Sequence, residues 1–162
     1  MGNFTFQIEE GDNRYLLELN SFTEQEFVSW NLDTSIEIYD VVLLRDSGDG
    51  TTSFKSLAQI STFVKDFMSN HPNAILYFYC DDIHDIQRAH KHIDYSPQQF
   101  RSQLFSLLFD REMAKHQDTK LVNNVQTITT AQGTAYIHLI TSVANQHIVT
   151  NLFKQVIEYS TK

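Results

Sequence analysis

A cluster of residues with reactive side chains follows the longest apolar run of the chain, in the stretch AILYFYCDDIHDIQR at residues 74–88. Cys80 could supply a thiolate nucleophile, and the acids after it could hold a divalent ion through carboxylate oxygens. Such residue types would suit a hydrolase, including a metal-dependent phosphoesterase, with its site at the end of a strand over residues 74–80. The candidate binding residues are Asp81, Asp82, His84, Asp85 and Arg88, joined by Arg101 from the following helix.

In a second interpretation, these residues are polar because the chain leaves the core at the end of a buried strand. Neighbouring aspartates raise a thiol pKa, whereas a reactive cysteine needs cationic or helix-dipole help. This favours a buried structural Cys80. The acids can equally be solvated, cap a short helix, or pair with a base, since Asp85 and Arg88 have i, i+3 spacing. We therefore assign no catalytic residue, no metal ligand and no cofactor from the sequence.

Other polar motifs give weaker signals. His90 and His92 form an HKH triplet that is typical of a surface loop, because zinc sites usually show tighter pairs and more cysteine. The segment RDSGDGTT at residues 45–52 lacks the lysine of a phosphate-binding loop. His138 lies in the alternating run AYIHLI, which predicts either an exposed sheet residue or a hydrogen-bonded, half-buried one.

Charge is concentrated in the first third of the chain. The formal net charge is −8, and residues 1–50 hold eleven acids against Arg14 and Arg45, a net of −9. The remaining residues then sum to +1. A nucleic acid would be repelled by such a surface, whereas a basic protein would be attracted to it. The alternative is a solvated surface that keeps the protein soluble.

The order of predicted elements defines the fold class. Alternating apolar residues around Gly11 and Gly133 predict hairpins at both ends of the chain. A strand, a helix with a capping box at Ser56, and a buried strand at residues 74–79 predict a parallel crossover between the hairpins. A Thr23-x-x-Glu26 capping box predicts a short helical turn after the first hairpin, and helices are also expected from Pro97 onward and at the C-terminal end. We predict an α+β fold with a mixed sheet of about five to six strands and three main helices packed largely on one face.

Composition indicates one soluble domain over residues 1–162. The chain is 41% hydrophobic and 20% charged, which are globular values. Its single cysteine fits a reducing compartment, and neither a signal peptide nor a membrane span is visible in the sequence. We expect a cytoplasmic protein that does not bind membranes.

The central part of the chain resembles a bacterial family of small cytoplasmic proteins of unknown function. In that family a helix precedes an apolar strand that ends in Cys-Asp, an Asp-x-x-Arg step follows, and then comes a helix with an arginine and a Phe-rich end. The matching positions here are Cys80, Asp81, Asp85, Arg88, Arg101, Phe105 and Phe109. The resemblance implies a shared small α+β fold and no particular activity. It also suggests that Asp85 and Arg88 form a buried ion pair or a small recognition site.

Two functions from different classes follow. The first is a non-catalytic protein-interaction module that binds another, basic protein through the acidic first third. The second is the hydrolase with its site at the end of the strand at residues 74–80. We favour the module. Exposed hairpin edges also allow a homodimer.

Overall fold

The described residues form one mixed sheet of six strands with helices on both faces. The computed structural model describes residues 2–33, 35–47, 54–80, 97–116, 120–130 and 133–160. The strands lie in the order β1-β2-β3-β4-β6-β5, and β3 and β4 form the parallel pair. The other neighbours are antiparallel.

The N-terminal hairpin joins β1 (Phe4–Glu10) to β2 (Asn13–Ser21). Gly11 in the turn has φ 57°, a left-handed conformation that glycine adopts without steric cost. The alternating apolar residues of both strands face one side, as the sequence predicts. The short helix α1 (Glu24–Ser29) follows, and its predicted capping box is confirmed by reciprocal hydrogen bonds between Thr23 and Glu26.

A crossover connects β3 (Glu37–Ser47) through α2 (Phe54–Asn70) to β4 (Ala74–Cys80). The predicted parallel pairing of these strands is confirmed. The predicted capping box at Ser56 is wrong, because α2 begins two residues earlier, at Phe54. Ser56 is instead fully buried, and its hydroxyl donates to the Glu10 carboxylate of β1. A buried hydroxyl needs such a partner, which explains the serine at this position.

The C-terminal half adds a helix, a hairpin and a closing helix. These elements are α3 (Pro97–Lys115), β5 (Leu121–Thr130), β6 (Gly133–Ser142) and, after a 3₁₀ turn at Val143–Ile148, α4 (Val149–Ser160). Pro97 is the first residue of α3, as predicted, since its missing N–H is not needed there. None of the described helices is long and apolar enough to cross a membrane.

Two cores lie on opposite faces of the sheet. Helices α2 and α3 cover one face, where Val64, Phe67 and Leu108 pack on strand residues such as Leu76. Helices α1 and α4 cover the other face, where Leu152 packs with Ile75. Adjacent β4 residues thus serve different cores, which explains the non-alternating sequence of this strand. The α+β class, the mixed sheet and the three main helices are confirmed, and two of those helices share one face.

Candidate functional site

Most of the residues predicted to form a site fall outside the described part of the chain. These are Asp81, Asp82, His84, Asp85 and Arg88. The backbone of Arg101 lies in the first turns of α3, and its side chain is not described. Cys80, the last residue of β4, is fully buried, so its predicted burial is confirmed. The proposed role of the cluster after β4 therefore stays a prediction.

The described residues contain no group of three or more His, Cys, Asp or Glu side chains placed to hold a metal ion. One close pair is present, in which Nε2 of His116 lies 3.1 Å from Oε1 of the nearly buried Glu112 on α3. Thr62 of α2 also donates a longer hydrogen bond, of 3.4 Å, to the same oxygen. These contacts connect α2 with α3 and satisfy the Glu112 carboxylate, so a structural role accounts for them.

A polar network crosses the core between α3 and the C-terminal hairpin. Nε2 of His138 on β6 lies 2.8 Å from Oγ of Ser102, and its Nδ1 lies 3.0 Å from Oδ1 of Asn123 on β5. Asn123 in turn donates from Nδ2 to Oγ of Ser106, one helical turn beyond Ser102. His138 is thus fully buried and hydrogen-bonded, which is closer to the second of the two environments predicted for it.

The network has the arrangement of an activated serine. The Asn123 carbonyl oxygen can only accept, so Nδ1 of His138 donates to it and Nε2 accepts the Ser102 proton. A general base must also be reachable and basic. Ser102 is only 4% exposed, and the rings of Phe78 and Phe105 lie against His138. Burial also lowers the pKa of His138 from 6.5 to about 4, so the imidazole is a weak base near neutral pH.

An apolar groove separates α2 from α3 above Leu43 and Phe78. It leaves a cavity of about 50 Å³ between side chains that include Val64, Phe105 and Met113. A dry cavity that binds benzene needs about three times that volume. The groove is therefore a packing gap of the core and too small for a substrate.

The remaining candidate is the side of β1, β2 and β3 that faces away from α2. The core cluster around α1 and α4 reaches β3 at Ile38 and includes no described residue of β1 or β2. The register places Leu16 opposite Leu44 and Glu18 opposite Val42 on this side. We call this surface the acidic sheet face. It consists of Thr5, Leu16, Glu18, Asp40, Val42 and Leu44.

Asp40 is the acidic residue of this face whose carboxyl pKa is altered by its surroundings. It lies opposite Asn20 of β2 on one side and Tyr77 of β4 on the other. Partial burial, reinforced by the negative charge of Glu26 on α1, raises the pKa of the Asp40 carboxyl from 3.8 to about 6. Within the described part of the chain, no hydrogen bond or ion pair satisfies this carboxylate. Any cation that approaches Asp40 would therefore stabilise the charged form of its carboxylate.

Apolar side chains adjoin these acids. Leu16 and Val42 are half-buried, and Leu44 is 36% exposed. At the outer end of the hairpin, Glu9 already has a cation, since its carboxylate lies 3.3 Å from Nε of Arg14. Glu18 and Asp40 have no ion pair among the described residues, and Glu26 of α1, whose carboxylate accepts the Thr23 N–H, lies near Asp40. Local charge counts could find the acidic segment, but only the pairing of β2 with β3 places Glu18 and Asp40 on the same surface.

The described residues form a small α+β domain whose six-stranded mixed sheet carries the acidic sheet face beyond the core cluster around α1 and α4. No protein-family model matches this chain, and neither the curated proteins nor the solved structures contain a significant match.

Proposed function

We propose that this protein is a non-catalytic interaction module that binds a basic protein through the acidic sheet face. The observation that carries the proposal is the half-buried Asp40 carboxylate, which lies on an uncovered sheet surface without a cation among the described residues. Such a carboxylate lowers the stability of the isolated protein, and a partner that supplies positive charge would remove that cost.

The composition of the face indicates the chemistry of the partner. Lys or Arg head groups would reach Glu18 and Asp40, and their aliphatic stems would pack on Leu16 and Val42. A basic segment with interleaved apolar residues therefore fits better than a uniformly charged polymer. The surrounding excess of acids, a net of −9 over residues 1–50, would speed association with such a segment.

A non-catalytic role also agrees with the buried Ser102–His138–Asn123 network. Its geometry suits proton transfer, but the serine is closed to solvent and the imidazole has a lowered pKa. These properties suit a network that fixes α3 on the sheet.

The test compares two double variants in pull-downs from native lysate, with the recovered proteins identified by mass spectrometry. Glu18→Gln with Asp40→Asn removes two charges from the face. Asp66→Asn with Asp110→Asn removes two charges from exposed positions on α2 and α3 and serves as the matched control. We expect the wild type and the control to recover the same basic protein and the face variant to lose it.

Salt and pH provide a second readout with the recovered partner. Binding should weaken at high salt, because exposed charge pairs are screened beyond about 10 Å at 0.1 M ionic strength. It should also weaken below about pH 6, where Asp40 takes up a proton, and the Asp40→Asn variant should lose that pH dependence. Recovery of no partner at low and high salt alike, or equal recovery by both double variants, would refute the proposal.

A further inference from the structure

Strand β5 forms an open edge of the sheet. The strand order ends with β5, and among the described residues it pairs with β6 alone. The other edge of the sheet is β1, which lies in the acidic first third of the chain. The two edges therefore differ in charge as well as in position.

The hydrogen-bonding pattern shows which backbone groups of β5 point outward. In an antiparallel pair, positions bonded to the neighbour alternate with positions whose N–H and C=O point away from it. The N–H of Val143 donates to the Lys120 carbonyl at 3.0 Å, one step beyond the Leu121–Ser142 pair, so Lys120 occupies a bonded position. The outward positions along β5 are Leu121, Asn123, Val125, Thr127 and Thr129.

This edge lacks the devices that usually block strand addition. Natural edge strands carry lysines, prolines, bulges or inward charges that prevent pairing with another chain. The ten residues of β5, LVNNVQTITT, contain no charged residue and no proline, and they keep an unbroken register with β6. Val125, near the middle of the strand, is 45% exposed.

We propose that β5 pairs antiparallel with β5 of a second copy of this chain, around a two-fold axis at Val125. Outward positions then meet outward positions, which forms about ten main-chain hydrogen bonds and joins the two sheets into one. Asn123 of each copy lies opposite Thr127 of the other, and Asn124 lies opposite Gln126. No charged side chain is placed against another anywhere along this register.

The charge distribution favours a second copy at β5 over one at β1. Pairing through β1 would bring together two segments that end in Glu9 and Glu10, within the third of the chain that carries −9. Pairing through β5 leaves the acidic hairpins at the far ends of the joined sheet. Five strand spacings separate β1 from β5, about 24 Å, which exceeds the screening length at physiological salt.

The helix beside the edge leaves room for the second strand. A shallow hollow of about 400 Å³ lies between Gln126 of β5 and α4, and the helix lines it with Phe153, Ile157 and the charged Lys154 and Glu158. The side chain of Asn124 from the second copy would enter beside this hollow, because that residue lies opposite Gln126. The inference is independent of the proposed partner of the acidic sheet face.

The first test measures mass by sedimentation equilibrium across the soluble concentration range. We expect the wild type to form a concentration-dependent dimer and Val125→Lys to be monomeric, because a lysine on each side of the axis repels its counterpart. The matched control is Val28→Lys at an 80% exposed position of α1, outside both surfaces, which should dimerise like the wild type. Circular dichroism checks that each variant is folded.

The second test fixes the register by disulfide trapping. At Val125 the two Cα atoms would lie about 5.5 Å apart, within disulfide range, so Val125→Cys should give a covalent dimer on mild oxidation. At Thr127, two residues from the axis, they would lie more than about 13 Å apart, so Thr127→Cys should not. The natural Cys80 is buried and does not compete.

Three outcomes would overturn the proposal. These are a wild type that stays monomeric at every concentration, a Val125→Lys variant that dimerises as well as the wild type, and a Thr127→Cys variant that cross-links as readily as Val125→Cys. The first includes the case in which the edge accepts a strand from a different protein instead.

Discussion

Replacement of His138 by glutamine should remove a large part of the acid sensitivity of this protein. Burial lowers the pKa of His138 from 6.5 to about 4 in the folded state. Between pH 6.5 and about pH 4, the unfolded chain therefore binds a proton at His138, whereas the folded protein does not. The stability that depends on neutral His138 is fully present above pH 6.5 and is lost as the pH falls toward 4.

The magnitude follows from the shift. The difference between a pKa of 6.5 and one of about 4 corresponds to roughly 3 kcal/mol in total, of which about 2 kcal/mol falls between about pH 7.5 and about pH 5. Asp40 acts in the opposite direction, because its pKa is raised to about 6 and the stability it costs is regained as the pH falls. The comparison is therefore between the pH dependence of the free energy of unfolding in the wild type and in the variant. Both proteins contain Asp40, so its contribution cancels.

The assay is urea unfolding at both pH values for the wild type, His138→Gln and the control His147→Gln. His147 is exposed, so His147→Gln removes an imidazole without disturbing the core and serves as the matched control. His138→Gln should be less stable than the wild type near pH 7.5, because Gln cannot satisfy both Ser102 and Asn123 in the same geometry. Its free energy of unfolding should then fall by about 2 kcal/mol less on acidification. An unchanged pH dependence in His138→Gln would show that folding does not lower the pKa of His138, which would refute this reasoning.

Three further predictions concern the acidic sheet face, the core and the competing hydrolase hypothesis. Asp40→Asn should raise the free energy of unfolding at pH 7 by about 1 kcal/mol, after allowance for the partial exposure of this carboxyl, and the gain should vanish as the pH falls from about 6 toward 4; a destabilised variant near neutral pH would contradict this. Leu76→Ala should lower the free energy of urea unfolding by about 2–5 kcal/mol, whereas Leu107→Ala, at a position 52% exposed, should change it by less than about 0.5 kcal/mol; similar losses in both would contradict the assigned burial. Magnesium, manganese and zinc should leave the melting temperature unchanged if the protein is an interaction module, and a clear rise with one of them would favour the metal-dependent hydrolase instead.

The local signals in the sequence located most of the elements. Alternation around Gly11 and Gly133 predicted both hairpins, and the Thr23–Glu26 box and Pro97 predicted helix starts, because turns, caps and proline geometry act over a few neighbouring residues. The Ser56 box failed for a physical reason. Helix α2 begins at Phe54, so Ser56 lies inside its first turn, where tertiary packing buries the hydroxyl and it donates to the Glu10 carboxylate of β1.

The sequence by itself determined the α+β class, the buried strand at residues 74–80, the buried Cys80 and the concentration of acids in residues 1–50. Only the tertiary structure decided which residues meet. Ser102, Asn123 and His138 come from three elements, and the register of β2 and β3 places Glu18 and Asp40 on the same side of the sheet, in diagonal positions. The environment of a side chain depends on strand order and on which helix covers each face. Those are set by contacts between residues far apart in the chain, and periodicity does not encode them.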